Sequence, residues 1–155
     1  MRFEFLFLGK TKEAYLAAGI ADYAERLGRY IAVDIKTLKE RKAKKGEPES
    51  LQIEKQGETL GQSAQGSYIV CLDRTGRQID SLELATQVER WEMQGLKKIT
   101  FIIGGPLGLS PALLAGADLV LSLSPMTFTH EMTRLFLLEQ LYRACTIKAG
   151  EKYHK

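Results

Sequence analysis

Five short runs of apolar and β-branched residues alternate along the chain with segments of helical periodicity. Strands that alternate with helices form βαβ units, so the pattern predicts an α/β fold with a mainly parallel sheet and helices on both faces. A chain of 155 residues is the size of one domain, and we predict a single domain over residues 1–155. The predicted strands are Arg2 to Leu8, Ala32 to Leu38, Tyr68 to Leu72, Ile99 to Ile103 and Leu119 to Leu123.

The helical segments between these strands differ in strength. Apolar residues recur three or four positions apart from Leu16 to Leu27, which indicates an amphipathic helix. A second helix is predicted to begin at the N-cap Ser81 and to end before Gly95. A weaker one is expected over Leu51 to Ala64, after a polar loop.

The last helix, which His130 is predicted to open, has apolar residues in every quadrant of its helical wheel from Met132 to Ile147. A helix that is apolar all round must be covered on all sides, either by its own domain or by a second subunit. Both readings are open at this point. In a dimer formed through this helix, Leu138 or Leu141 would face the partner.

The net charge and the cysteine content exclude few classes of protein. Two cysteines, Cys71 and Cys145, lie far apart and have neither zinc-ligand nor disulfide-framework spacing. The Phe3 to Leu8 run is too short for a signal-peptide core or a membrane span, so we expect a cytosolic protein without a membrane partner. The net charge of +3 is mild.

Six basic residues fall within ten positions, broken by a single acid, Glu40. Such a tract is typical either of a loop that contacts nucleic-acid phosphates or of a solvated surface loop. Its members are Lys36, Lys39, Arg41, Lys42, Lys44 and Lys45.

A glycine-rich turn, Gly104 to Gly108, follows the fourth strand and precedes Ser110-Pro111, a good helix start. In parallel sheets ligands bind outside the carboxyl ends of strands, where this turn lies. The turn reads GGPLG, which lacks the GxGxxG pattern of dinucleotide sites and the lysine of a P-loop. It therefore favours a ligand without phosphates.

The loop from Ser122 to His130 follows the fifth strand and offers apolar side chains and backbone groups. With Leu72 at the end of the third strand, it suits an adenine ring and a phosphate-free cofactor, of which S-adenosylmethionine is one. Taken singly, Leu72, Met126 and Phe128 also fit ordinary core packing.

Three motifs together resemble the ribosomal RNA large-subunit methyltransferase H family, a small branch of the SPOUT methyltransferases. They are IIGGPLGLS, LSLSPMTFTHEMTRLFLLEQLYRA and the terminal GEKYHK. The resemblance extends over the whole chain, including FEFLFLGK and YAERLGRY, and the spaced combination is more specific than any single motif. One departure is Thr129, where the family commonly has proline before the histidine.

The resemblance implies a fold, a cofactor and a substrate. SPOUT enzymes thread their C-terminal part into a trefoil knot, bind S-adenosylmethionine there and act as homodimers. The family methylates N3 of a pseudouridine in 23S rRNA of assembled ribosomes. By resemblance, the cofactor-binding residues would be Leu72, Gly104, Leu123, Ser124, Pro125, Met126, Thr127 and Phe128.

Methyl transfer to N3 requires an acceptor for its proton, and the chain has only two histidines, His130 and His154. Arg134 follows His130 by one helical turn. By resemblance, Arg143, Tyr153 and His154 would lie on the RNA side. Because Tyr153, His154 and Lys155 end the chain, we expect a partner subunit or the substrate to order them.

Alternative readings have specific weaknesses. A zinc site is disfavoured because His130-Glu131-Met132-Thr133-Arg134 has arginine in place of the second histidine of HExxH, so no metal is expected. A nicotinamide-dependent oxidoreductase is disfavoured because the glycine-rich turn lacks the GxGxxG fingerprint of dinucleotide-binding sites. A non-catalytic RNA-binding module stays open, and binding of S-adenosylmethionine would distinguish it from the enzyme.

Overall fold

The computed structural model describes residues 1–154 and places the five predicted strands in one sheet, in the order β2-β1-β4-β3-β5. Every neighbouring pair is parallel. Parallel strands need crossovers, which the intervening helices provide. The strands are β1 (Arg2–Leu8), β2 (Ala32–Leu38), β3 (Tyr68–Gln78), β4 (Lys98–Ile103) and β5 (Leu119–Ser122).

Helices cover both faces of the sheet, as predicted. Phe3, Phe5 and Phe7 point from β1 into the larger core, whereas Leu6 points into a smaller core on the opposite face. The first face carries α1, α3 and α5, and the second carries α2 and α4. Their bounds are α1 (Ala14–Leu27), α2 (Glu49–Ser63), α3 (Ser81–Met93), α4 (Pro111–Ala115) and α5 (His130–Lys148), followed by a 3-10 turn at Lys152–His154.

Two predicted boundaries are wrong for identifiable reasons. The strand β3 continues past Leu72 to Gln78, through a polar segment without a hydrophobic signal, and its register against β5 shifts between Leu72 and Arg77. The N-cap of α3 is Asp80, not Ser81, because Asp80 forms a reciprocal capping box with Glu83.

The all-round apolar character of α5 reflects burial within its own domain. It packs between α1 and α3 and over the sheet, so it is covered on three sides. The side chains of Leu138 and Leu141 are fully buried. The expectation that either faces a partner subunit is therefore wrong, and Phe136, which is 36% exposed, is the large apolar residue on the outer side of α5.

Close packing between α2 and α4 fixes the helix that follows the glycine turn. Ser110 caps α4 by accepting a hydrogen bond from the Leu113 amide at 3.2 Å. A Cβ on Gly57 of α2 would lie 2.1 Å from the Ser110 Oγ, whereas one on Gly61 would contact Leu113 at an ordinary 3.5 Å. The N-terminus of α4 is thus held against a glycine.

Two alanine substitutions in α2 should change stability in opposite directions. Gly57→Ala should lower the free energy of unfolding by ~1–3 kcal/mol, because the added methyl group displaces the Ser110 cap. Gly61→Ala should raise it by about 0.5–1 kcal/mol, since alanine favours a helix and the space is open. Urea denaturation measures both, and equal effects of the two substitutions would contradict this account.

Candidate active site

A cavity of about 800 Å³ opens at the carboxyl ends of β4 and β5, beside the register shift that follows Leu72 in β3. Its walls are the glycine turn, the loop between β5 and α5, the first turn of α5 and the start of α1. Seven of the eight predicted cofactor residues line it: Leu72, Gly104, Leu123, Ser124, Met126, Thr127 and Phe128. Pro125 lies in the same loop and is exposed, but it is not among the described lining residues.

The glycine turn is closed too tightly for a side chain at Gly104. A Cβ there would lie 2.8 Å from the Gly108 carbonyl oxygen and 3.0 Å from Leu109. The Gly108 amide donates to the Gly105 carbonyl at 3.0 Å, and Gly108 has a φ of +80°, a value that favours glycine. The turn therefore presents backbone to the cavity.

Side-chain hydrogen bonds hold the loop between β5 and α5. The Ser122 hydroxyl donates to the Ser124 carbonyl at 3.0 Å, and the Ser124 hydroxyl accepts from the Met126 amide at 3.0 Å. Thr129 caps α5 by accepting from the Met132 amide at 3.2 Å. Its φ of −61° is one that proline also adopts, so this backbone conformation is compatible with either residue.

His130 lies on the cavity wall and is half-buried. Burial, and next the positive charge of Arg134, lower the pKa of its imidazole below the ordinary value. A lowered pKa keeps the ring neutral near pH 7, which is the form that accepts a proton.

Arg134 is fully buried and ties the start of α5 to the end of β1. Its Nη2 donates to the Leu8 carbonyl at 2.7 Å, its Nη1 donates to the Thr11 hydroxyl at 2.9 Å, and its guanidinium lies 4.7 Å from the centre of the Phe7 ring. The sequence pattern placed it beside His130 but did not predict this burial. Arg134 holds the loop before α1 against the cavity.

Several cavity residues were missed by the sequence reading. The start of α1 contributes Glu13 and Tyr15, and the segment after Leu72 contributes Asp73 and Arg74. The predicted third strand ended at Leu72, and ligands bind beyond the carboxyl ends of parallel strands. This rule could have predicted Asp73 and Arg74 as cavity residues. Nothing in the residues before Tyr15 distinguished them from a solvated helix start.

Arg143, Tyr153 and His154 lie at the other end of α5 and do not line the cavity. Thirteen residues of helix separate Arg143 from His130, which corresponds to roughly 20 Å. One chain therefore does not bring the two predicted groups together.

The tail packs on its own chain. The Tyr153 hydroxyl donates to Glu139 of α5 at 3.1 Å and lies 3.1 Å from the Tyr23 hydroxyl of α1. We expected that only a partner subunit or the substrate orders the tail. That expectation is wrong for Tyr153, which is held by contacts within its own chain. Lys155 lies outside the described residues.

Two of the six residues of the basic tract are paired with carboxylates. Lys36 pairs with the buried Glu4 of β1, and Arg41 donates two hydrogen bonds to Glu47, at 2.7 and 2.9 Å. The other four members, Lys39, Lys42, Lys44 and Lys45, are exposed.

Residues 1–154 contain neither a membrane-spanning helix nor a cluster of metal-binding side chains. Over that range no helix is both long and apolar enough to cross a membrane. The same part of the chain contains no group of three or more histidine, cysteine, aspartate or glutamate side chains placed to hold a metal ion.

Comparison with known proteins adds independent findings. Residues 1–154 match the family model described as a predicted SPOUT methyltransferase. The chain is 51% identical to the ribosomal RNA large subunit methyltransferase H of Desulfotalea psychrophila, over the whole of both chains. It is 42% identical to the protein of the same name from Syntrophotalea carbinolica, over 99% of each chain.

A solved structure supports the same fold. The crystal structure of tRNA (m1G37) methyltransferase from Aquifex aeolicus superposes with a TM-score of 0.53 at 13% identity, covering 92% of this chain and 70% of that one. At this identity the likeness shows the fold alone. The family match and the full-length relatives show that the chain belongs to the ribosomal RNA large-subunit methyltransferase H family of SPOUT methyltransferases.

Proposed function

We propose that the protein methylates large-subunit ribosomal RNA with S-adenosylmethionine as methyl donor, at N3 of a pseudouridine in the 23S rRNA of assembled ribosomes in the cytoplasm. The cavity at the strand carboxyl ends is the observation that carries this proposal. Membership of the family supports the substrate class, and the trefoil knot implied by the resemblance stays a prediction. Mass spectrometry of ribosomal RNA from cells with and without the protein tests the modified nucleotide.

The cavity fits this cofactor in shape and charge. Backbone of the glycine turn and apolar side chains such as Leu72 and Leu123 suit an adenine ring. Three carboxylates, on Glu13, Asp73 and Glu131, and one guanidinium, on Arg74, line the cavity. This negative excess suits a ligand with net positive charge, such as a sulfonium amino acid.

A methyl group at Gly104 should abolish most cofactor binding. Gly104→Ala brings a Cβ to within 2.8 Å of the Gly108 carbonyl, so the turn must open and its backbone leaves the cavity wall. We expect affinity for S-adenosylmethionine to fall by at least tenfold, roughly 1.4 kcal/mol. Isothermal titration calorimetry measures it, with Gly61→Ala as the control for a tolerated glycine replacement. Unchanged affinity in Gly104→Ala would remove the turn from the site.

We propose His130 as the acceptor of the N3 proton. When bound, the cofactor supplies an electrophilic methyl group. The side chain of His130 lies on the same cavity wall and is held neutral by burial and by Arg134. His154, the other candidate, lies at the far end of α5 in the same chain.

The pH dependence of methyl transfer should identify this base. Since the pKa of His130 is lowered, its neutral form should dominate at pH 7 and the rate should fall only as pH drops through a value below 6.5, the ordinary histidine pKa. Single-turnover rates of methyl transfer on ribosomes, measured from about pH 5 to about pH 8, would show this fall in rate. His130→Asn should remove it and His154→Asn should keep it. The reverse outcome assigns the proton to His154.

We propose that the enzyme works as a homodimer in which the partner's tail completes the site. The separation between Arg143 and His130 motivates this arrangement. An apolar patch beside the cavity offers a surface for the second copy: Met126 is 75% exposed, and Phe128 and Phe136 form an edge-to-face pair with ring centres 5.1 Å apart.

Replacing Phe136 with serine should weaken the dimer without unfolding the chain. The side chain is 36% exposed, so the monomer loses little core packing, whereas an interface loses a large apolar contact. Leu82→Ser is the matched control, because Leu82 is 54% exposed on α3. Light scattering at micromolar concentration should find a monomer fraction only for Phe136→Ser. A wild-type protein that is a folded monomer would refute the dimer.

The four exposed lysines of the basic tract are proposed to contact rRNA phosphates. Lys39, Lys42, Lys44 and Lys45 follow β2, and the carboxyl ends of the parallel strands share one edge of the sheet with the cavity. Arg41 is assigned to the fold instead, because its guanidinium is paired with Glu47.

A further inference from the structure

The carboxylate of Glu139 joins Arg143 to the tail of the chain. It lies on α5 one turn before Arg143 and accepts hydrogen bonds from the Arg143 Nε at 3.1 Å, from the Arg143 Nη2 and from the Tyr153 hydroxyl at 3.1 Å. The Glu139 side chain is 18% exposed. Two residues assigned above to the RNA side therefore share one acceptor.

The Tyr153 ring is already in contact with two neighbours. The Arg143 guanidinium lies over the ring at 4.7 Å from its centre, and the Tyr142 ring meets it edge-to-face at 4.7 Å. Its hydroxyl contacts Glu139 and the Tyr23 hydroxyl. A nucleobase that stacked on the guanidinium side of this ring would first have to displace Arg143.

From this geometry we infer that Tyr153 and Glu139 are positioning residues, which fix Arg143 and the turn that carries His154 for RNA and do not themselves contact it. This inference rests on the proposed function and divides the tail's residues by role. Arg143 keeps Nη1 as a donor, since no partner for that nitrogen lies among residues 1–154. His154 is exposed at the end of the 3-10 turn.

The electrostatics of the cluster agree with this division. Burial, and then the hydrogen bonds with Tyr23 and Glu139, raise the pKa of the Tyr153 hydroxyl, so it stays protonated and unsuited to act as a base near neutral pH. The hydrogen bonds to Glu139 raise the pKa of Arg143. Both effects favour the arrangement in which the Tyr153 hydroxyl and the Arg143 guanidinium donate hydrogen bonds to Glu139.

A double-mutant cycle tests the inference. Tyr153→Phe and Glu139→Gln should each lower kcat/KM for ribosomes by about tenfold, the size expected for a lost positioning hydrogen bond, with unchanged affinity for S-adenosylmethionine. The double variant should be no worse than Glu139→Gln alone, because Glu139→Gln already weakens the contact that Tyr153→Phe removes. Glu89→Gln, an exposed carboxylate on α3, is the control and should keep the wild-type value.

Other outcomes overturn the inference in distinct ways. If Tyr153 stacks on a base, Tyr153→Phe keeps full activity. If its hydroxyl bonds the base, Tyr153→Phe loses activity and Glu139→Gln does not. Additive losses would likewise show that the two side chains act separately.

A measurement without RNA separates the tail contact from the proposed function. In a protein labelled at tyrosine 13Cζ, six signals are expected, and Tyr153→Phe assigns one of them. Glu139→Gln should change the chemical shift of that signal at neutral pH, because the Tyr153 hydroxyl loses its carboxylate acceptor, whereas Glu89→Gln should leave it unchanged. An unmoved signal refutes the contact, while a wild-type protein that does not methylate ribosomal RNA refutes only the function.

Discussion

The parallel alignment of all five strands is the constraint on which the site depends. All five strands run in the same direction, because the crossover helices bring the chain back to the starting edge of the sheet. Every loop that follows the carboxyl end of a strand therefore lies at the same edge. The glycine turn, the loop after β5 and the start of α1 converge there although they are far apart in sequence. Helices on both faces then bury the sheet, and the order β2-β1-β4-β3-β5 puts the apolar strand β1 inside it. The cavity is a consequence of this topology as much as of its lining residues.

Local signals in the sequence predicted most of the fold. Periodicity located all five strands and the amphipathic helices, since buried strands and half-buried helices require apolar residues at fixed spacings. The Ser110-Pro111 start of α4 was read from capping chemistry and is present in the structure. The extension of β3 to Gln78 was missed because it is polar and is held by backbone pairing with β5, which leaves no hydrophobic pattern. The rule that ligands bind at strand carboxyl ends located the loops that line the cavity, and the resemblance to a family supplied the predicted residues within them.

Contacts between distant segments could not be predicted from the sequence. The pattern of α5 allowed either a core or an interface, and only the positions of α1 and α3 decide that Leu138 and Leu141 are core. The burial of the Arg134 guanidinium depends on a hydrogen bond to the carbonyl of Leu8, which is 126 residues away in the chain. The tail was expected to be ordered by a partner because a chain end has few local contacts, yet Tyr153 finds Tyr23 and Glu139. In each case the deciding partner is remote in sequence.

The helix α5 couples these parts and sets a geometric requirement. Its first two turns carry His130, on the cavity wall, and the buried Arg134, and its second half carries Glu139 and Arg143 beside the tail. A helix is rigid over this span, so folding of one chain cannot bring the two ends closer than roughly 20 Å. If both ends serve one reaction, the second set must come from another chain, and each tail must keep a defined shape before the RNA binds. In the proposed dimer, a carboxylate that holds both Arg143 and Tyr153 would provide that shape within the monomer, because the tail would be ordered before it met a partner's cavity, and less conformational entropy would be lost on binding.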